Sequence, residues 1–114
     1  SVLKAFVQYY AKHQLPEYLS ELSQQCTLPF AKCNIRQPKT RWGSCSSKHD
    51  IMLNAALILY PLAVVRYVCV HELVHTQHFD HSAAFWAEVA KYDPQFKQHR
   101  QILKTTALPY WWHR

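Results

Sequence analysis

The chain has 114 residues, four cysteines, a single glycine and a formal net charge of +6. It is long enough for one folded domain spanning residues 1–114 with a real core, and 49% apolar against 18% charged residues excludes a disordered chain. No apolar run approaches the roughly 18 residues of a membrane span and no secretory leader is visible, so the expected setting is cytoplasmic, without a membrane partner.

Val2, Leu3, Phe6, Val7 and Tyr10 fall at helical spacing. Pro16 is expected to kink or restart that helix, which then carries Tyr18, Leu19 and Leu22. Residues 30–37 alternate, with Ala31, Cys33 and Ile35 on one side and Lys32, Asn34 and Arg36 on the other, the pattern of a half-buried strand. Residues 40–45 suggest a second strand interrupted at Gly43, the chain's one glycine, expected at a bulge or a turn needing positive φ. After a polar turn over 46–50, a third strand starts at Ile51. Together these predict a small three-stranded antiparallel sheet.

Pro61 opens a helix from Leu62 to about Gln77 that is apolar nearly all round, and such a helix is buried centrally. Ser82 can cap a helix over 83–92, and Asp93-Pro94 reads as the start of a last helix reaching about Lys104. The aromatic tail, Leu108 to Trp112, is expected to pack back on the domain. The overall expectation is an α+β fold with the sheet packed on helices.

Residues 22–49 contain Lys32, Arg36, Lys39, Arg41 and Lys48 with no acidic residue, and Lys91, Lys97, Arg100 and Lys104 form a second basic set. Such patches can hold nucleic-acid phosphates, although no base-reading motif accompanies them and a solvated basic surface is the simpler reading. Cys26, Cys33, Cys45 and Cys69 include no CxxC pair and read as free thiols of a reducing compartment. Zinc sites bring cysteine ligands in close pairs, which these spacings do not provide.

The buried helix contains His71-Glu72-Leu73-Val74-His75. At about 100° per residue the two histidines lie about 40° apart on one face, one turn from each other. Two imidazoles so placed can share a metal ion. Glu72 lies about 60° round from His75, where its carboxylate can face the metal without binding it, the HExxH arrangement. Two histidines and a glutamate in an apolar helix are costly unless something satisfies them. A short turn, His78-Phe79-Asp80, leads to His81, the expected third ligand. His78 stands where metzincins carry a glycine, so the chain must turn differently. Glu88 on the following helix is the competing third ligand. Three imidazoles leave a fourth position open, as catalytic zinc requires.

Around these residues the sequence reads Thr40-Arg41-Trp42-Gly43-Ser44-Cys45-Ser46-Ser47-Lys48, then Leu53-Asn54 and Leu57-Ile58-Leu59, then Tyr67-Val68-Cys69-Val70 before the histidine pair, then His81-Ser82-x-x-Phe85-Trp86. In this order, across residues 30–104, the chain resembles the YgjP-like metal-dependent hydrolases, which are grouped with zincin-type zinc metallopeptidases. The resemblance implies one Zn2+ per chain held by His71, His75 and His81, with Glu72 as the catalytic base acting on a zinc-activated water. It also implies a peptide or protein substrate, and sequence ahead of this region in most members. Asp80 stands where asparagine is common in the family. It is a candidate to orient a ligand imidazole. Tyr67, one turn before His71, is a candidate oxyanion partner. Arg41 and Trp42 are candidates to border the cleft, while His13, His49, His99 and His113 read as surface. Two other functions fit parts of the pattern. One is an SprT-like protease acting on DNA-bound proteins. The other is a metal-stabilised binding module without turnover.

Overall fold

The computed structural model describes residues 1–113. The element order is α1 (Val2–Cys26), β1 (Lys32–Arg36), β2 (Gly43–Cys45), β3 (Asp50–Asn54), a 3-10 helix (Ala55–Leu59), α2 (Leu62–Val74), α3 (Ala83–Tyr92), α4 (Phe96–Thr105) and a terminal 3-10 helix (Tyr110–His113).

The first helix runs through Pro16 without a break. Proline removes one hydrogen bond, and the carbonyl left without its donor belongs to Lys12, an exposed position that water can serve. Buried Ala11, Leu15, Leu19, Leu22 and Cys26 hold both halves against one core. The buried seam differs from the expected one near the N-terminus. Val7 is covered, but Val2, Leu3, Phe6 and Tyr10 are exposed. Thr27 closes the helix in the left-handed conformation, with its N–H donating to the carbonyls of Gln24 and Ser23.

The sheet has three strands, as expected, but it is mixed. The order is β1-β3-β2, with β1 parallel and β2 antiparallel to β3. The central place goes to the most apolar strand, whose Ile51 and Leu53 are fully buried. The six-residue link 37–42 crosses from one flank of β3 to the other, so β1 meets β3 instead of β2. The strand β2 is only three residues long and lies at the sheet edge beside α2.

Beyond β3, Asn54 ties the crossing link to the 3-10 helix. Its amide nitrogen donates to the Pro38 and Arg41 carbonyls, each at 3.0 Å, and its oxygen accepts from the Ala56 N–H at 2.9 Å. The link that carries Arg41 and Trp42 is therefore held by one buried side chain.

Helix α2 is central, with residues on all its sides buried, and it packs against α1, α3, α4 and β2. Its helical turns end at Val74, three residues short of the sequence expectation. Helix α3 matches the expected 83–92 span, with the Ser82 hydroxyl accepting from the Phe85 N–H at 3.3 Å. Helix α4 begins at Phe96, later than expected. Asp93 still shapes its start, because one carboxylate oxygen accepts from the Gln95 N–H and the other meets His99 Nδ1 at 2.8 Å. His99 is thus a paired, partly buried side chain and not the surface residue its spacing suggested. The aromatic tail does fold back, burying Trp112 with Lys4 over its ring. Cys26, Cys33, Cys45 and Cys69 are all free.

Candidate metal centre

Two imidazoles of the candidate centre come from the end of α2 and one from the turn that follows. His71 and His75 are half-buried, one turn apart, and His81 is exposed. Each offers one ring nitrogen, and the three nitrogens lie within 4.8 Å of one another. The Nε2 atoms of His75 and His81 are 3.1 Å apart. Tetrahedral zinc with Zn–N bonds of about 2.0–2.1 Å has nitrogen–nitrogen edges of about 3.3 Å, so this pair already stands at such an edge.

The turn that returns His81 needs no left-handed residue. Among the described residues only Thr27 and His49 have positive φ outside glycine. Instead the helix end tightens: Thr76 and Gln77 N–H groups donate to the carbonyls three residues back, and the Thr76 hydroxyl bonds the Leu73 carbonyl at 2.7 Å. His78 can therefore occupy the position where metzincins use glycine. Its carbonyl lies 2.8 Å from His75 Nδ1. With the Nδ1 proton placed on that bond, Nε2 is left with its lone pair toward the site. Burial holds the His75 imidazole below its ordinary pKa, which favours the neutral form a metal needs.

Helix α3 supplies the wall. Phe85, fully buried, stacks on His75 with centroids 4.4 Å apart, and meets His71 at 5.0 Å and His81 at 5.1 Å. Trp86 stacks on His81 at 5.8 Å and meets His71 edge-on at 5.7 Å. The Ser82 cap sets the helical phase that aims these two neighbouring rings at the same three imidazoles.

Glu72 is buried, and its Oε2 is 3.2 Å from His71 Nδ1. The carboxylate lies against the backbone of β2. A Cβ added to Gly43 would come within 2.9 Å of Glu72 Oε2 and 3.0 Å of its Cγ. The expectation of a positive φ at Gly43 is thus overturned, since no glycine has one. What the position demands is space for a carboxylate.

Gly43, His71 and Glu72 border two cavities. The first, about 240 Å³, is also lined by Ser44, Cys45, His75, Phe79 and His81. The second, about 270 Å³, lies between β2 and α4, with Arg41, Trp42, Tyr67, Val68, Arg100, Leu103 and Lys104. Of the residues singled out in the sequence, His71, Glu72, His75 and His81 come together, and Arg41, Trp42 and Tyr67 line the adjoining cavity. Burial pushes the Tyr67 hydroxyl up to about 12, so it stays protonated at neutral pH. Asp80 does not join them. It is exposed and makes no hydrogen bond to an imidazole, and the orienting acceptor for His75 is the His78 carbonyl instead. Glu88, the competing ligand, lies outside the histidine cluster and pairs with Lys91 at 3.0 Å. Sequence reasoning passed over Arg100 and Lys104 as parts of the site, although their separation by four residues already put them on one face of α4.

Residues 1–106 match the YgjP-like metallopeptidase domain. The chain belongs to the YgjP-like family. Two solved metallopeptidase zymogens share its fold. Abylysin of Pyrococcus abyssi has a TM-score of 0.68 and 25% identity, over 81% of this chain and 95% of that one. Jannalysin of Methanocaldococcus jannaschii has a TM-score of 0.68 at 17% identity, over 82% of this chain and 98% of that one, a likeness of fold alone. No curated protein matches the sequence significantly. The α+β architecture of this YgjP-like chain is thus zincin-like, and family and fold are those of a metal-dependent peptidase acting on peptide or protein. The three-imidazole donor set would suit a divalent ion such as zinc. No helix among the described residues is long and apolar enough to cross a membrane.

Proposed function

We propose that the chain is a zinc-dependent peptidase in which His71, His75 and His81 hold the ion and Glu72 is the general base. The observation that carries this reading is three converging ring nitrogens beside a buried carboxylate, at the junction of two cavities. Zinc bound there supplies Lewis acidity toward water and toward a scissile carbonyl. The rest falls to the protein's own groups. Glu72 Oε2 is engaged by His71 Nδ1, leaving Oε1 to take a proton from the attacking water and return it to the leaving amine. Tyr67, protonated at neutral pH, can donate a hydrogen bond to a developing oxyanion. Among the described residues no strand pairs with the outer edge of β2, so an extended peptide can add to it and pass over Glu72.

The test is the metal content of chelator-stripped protein after zinc is offered, followed by peptide hydrolysis with Glu72→Gln in parallel. The expected result is about one zinc per chain, with hydrolysis reduced about 100- to 10,000-fold in the variant. A protein that takes up no zinc, or a variant that cleaves like wild type, rejects the proposal. A metal-stabilised binding module would take up zinc and cleave nothing. A protease directed at DNA-bound proteins would be stimulated by DNA.

A further inference from the structure

The two cavities beside Glu72 differ in charge. The one on the histidine side has no lysine or arginine in its lining. The one on the α4 side has Arg41 from the link before β2, and Arg100 and Lys104 from successive turns of α4. Its only carboxylate is Glu72, already engaged by His71, so three cations stand against one anion. Among the described residues, none of the three cations takes part in an ion pair. Arg100 is held over the Trp86 ring, 5.3 Å from its centroid, which positions the guanidinium without neutralising it. Trp42, Tyr67 and Leu103 add apolar wall.

Water attack and proton transfer at Glu72 do not need this charge. Unpaired cations around an apolar-walled concavity raise the local concentration of an anion and hold it by charge-assisted hydrogen bonds. A polyanion is a poorer fit, because single-stranded nucleic acid is held along a groove that tracks its backbone with bases stacked in series. Here the cations converge on a space of about 270 Å³.

We propose that the α4-side cavity is a carboxylate-binding subsite, so that the preferred substrates carry a carboxylate on that side of the scissile bond. The group is either an acidic side chain or the substrate's own C-terminus. This rests on the reading of the Glu72 cleft as the place where peptide binds, and it assigns Arg41, Arg100 and Lys104 to substrate selection.

The test reads binding, not turnover, by fluorescence anisotropy on the metal-free protein. The probes are labelled, N-acetylated pentapeptides of one sequence: central Glu with an amidated C-terminus, central Gln with an amidated C-terminus, and central Gln with a free C-terminus. A single-stranded oligonucleotide is the fourth probe. At least one carboxylate peptide should bind about tenfold more tightly than the uncharged peptide, and which one does so identifies the source. Arg100→Gln with Lys104→Gln should abolish the advantage, and so should Arg41→Gln. All three are exposed side chains, so circular dichroism should be unchanged. Equal or undetectable binding of the three peptides overturns the proposal, as does an oligonucleotide that binds more tightly than all of them through the same residues. Zinc-dependent cleavage without acidic preference would overturn it while leaving the peptidase reading in place. Carboxylate selectivity in a protein that cleaves nothing would do the reverse.

Discussion

Gly43 leaves the space that Glu72 occupies: a single methyl group at residue 43 would stand 2.9 Å from the carboxylate oxygen. A contact that short forces something to shift, and the added methyl would also meet the Met52 carbonyl at 3.1 Å, which is backbone and cannot step aside. The movable partner is Glu72. Gly43→Ala should therefore displace the carboxylate by a fraction of an ångström, and since a misplacement of about 1 Å can cost about 100-fold, kcat/KM should fall by up to that factor. Zinc content should fall far less than activity, since His75 keeps the His78 carbonyl and all three imidazoles keep the Phe85 wall, and only the contact of Glu72 with His71 shifts. Parallel measurement of kcat/KM and bound zinc checks this, and a fully active Gly43→Ala enzyme would refute the steric account.

Phe85 is the common wall of all three imidazoles. Phe85→Ala should cost about 3–5 kcal/mol of stability through the cavity it leaves. Phe85→Leu, which keeps more of the volume, should leave the protein folded while weakening zinc binding. Chelator competition on the leucine variant checks this. An unchanged zinc affinity would mean that the ring supports the core alone.

His81 is the exposed member of the cluster. His81→Ala should leave the thermal midpoint of the metal-free protein within a degree or two, because exposed substitutions away from special features change stability little. Its zinc affinity should fall by more than the 10- to 100-fold that loss of a supporting partner costs. Calorimetry of both proteins, with and without zinc, separates the two effects.

Burial pushes the Cys33 thiol up to about 11 from its ordinary value of 9.0. Below pH 9 both folded and unfolded chains keep the proton, and the contribution to stability is fully present. Between 9 and 11 the unfolded chain releases its proton first, so stability is lost as pH rises through that window. The thiols of Cys26, Cys45 and Cys69 are shifted in the same direction, desolvation being the main cause in each. Urea unfolding at pH 8 and pH 10 should show a smaller loss for Cys33→Ser than for wild type. Equal losses would place the alkaline sensitivity elsewhere.

The sequence made the helical part of the site legible because its determinants are local. His71 and His75 share a face by spacing alone, and the Ser82 cap marks the start of α3 within its own first turn. The sheet order was not legible. Residues 30–37 carry the same alternation whether they pair with β2 or with β3, and only the assembled core gives Ile51 and Leu53 the central place. Gly43 was recognised as special for the wrong reason, since one letter cannot distinguish a need for positive φ from a need for space. The convergence of Arg41 with Arg100 and Lys104 depends on how α4 packs against α2 and lies beside β2. No periodicity within one segment encodes that packing.

Helix α2 lies in the middle of the core, whereas the turn bearing His81 is exposed. In hydrogen-exchange terms the amides around His71 and Glu72 should belong to the slowest class, released only when the core opens, and those of residues 79–81 to the fast class, released by local fluctuation. The residence time of an ion at this centre is then a property of the turn. It should leave on the timescale of a loop opening, long before the protein unfolds, and two of its three imidazoles will be waiting in place when the next ion arrives.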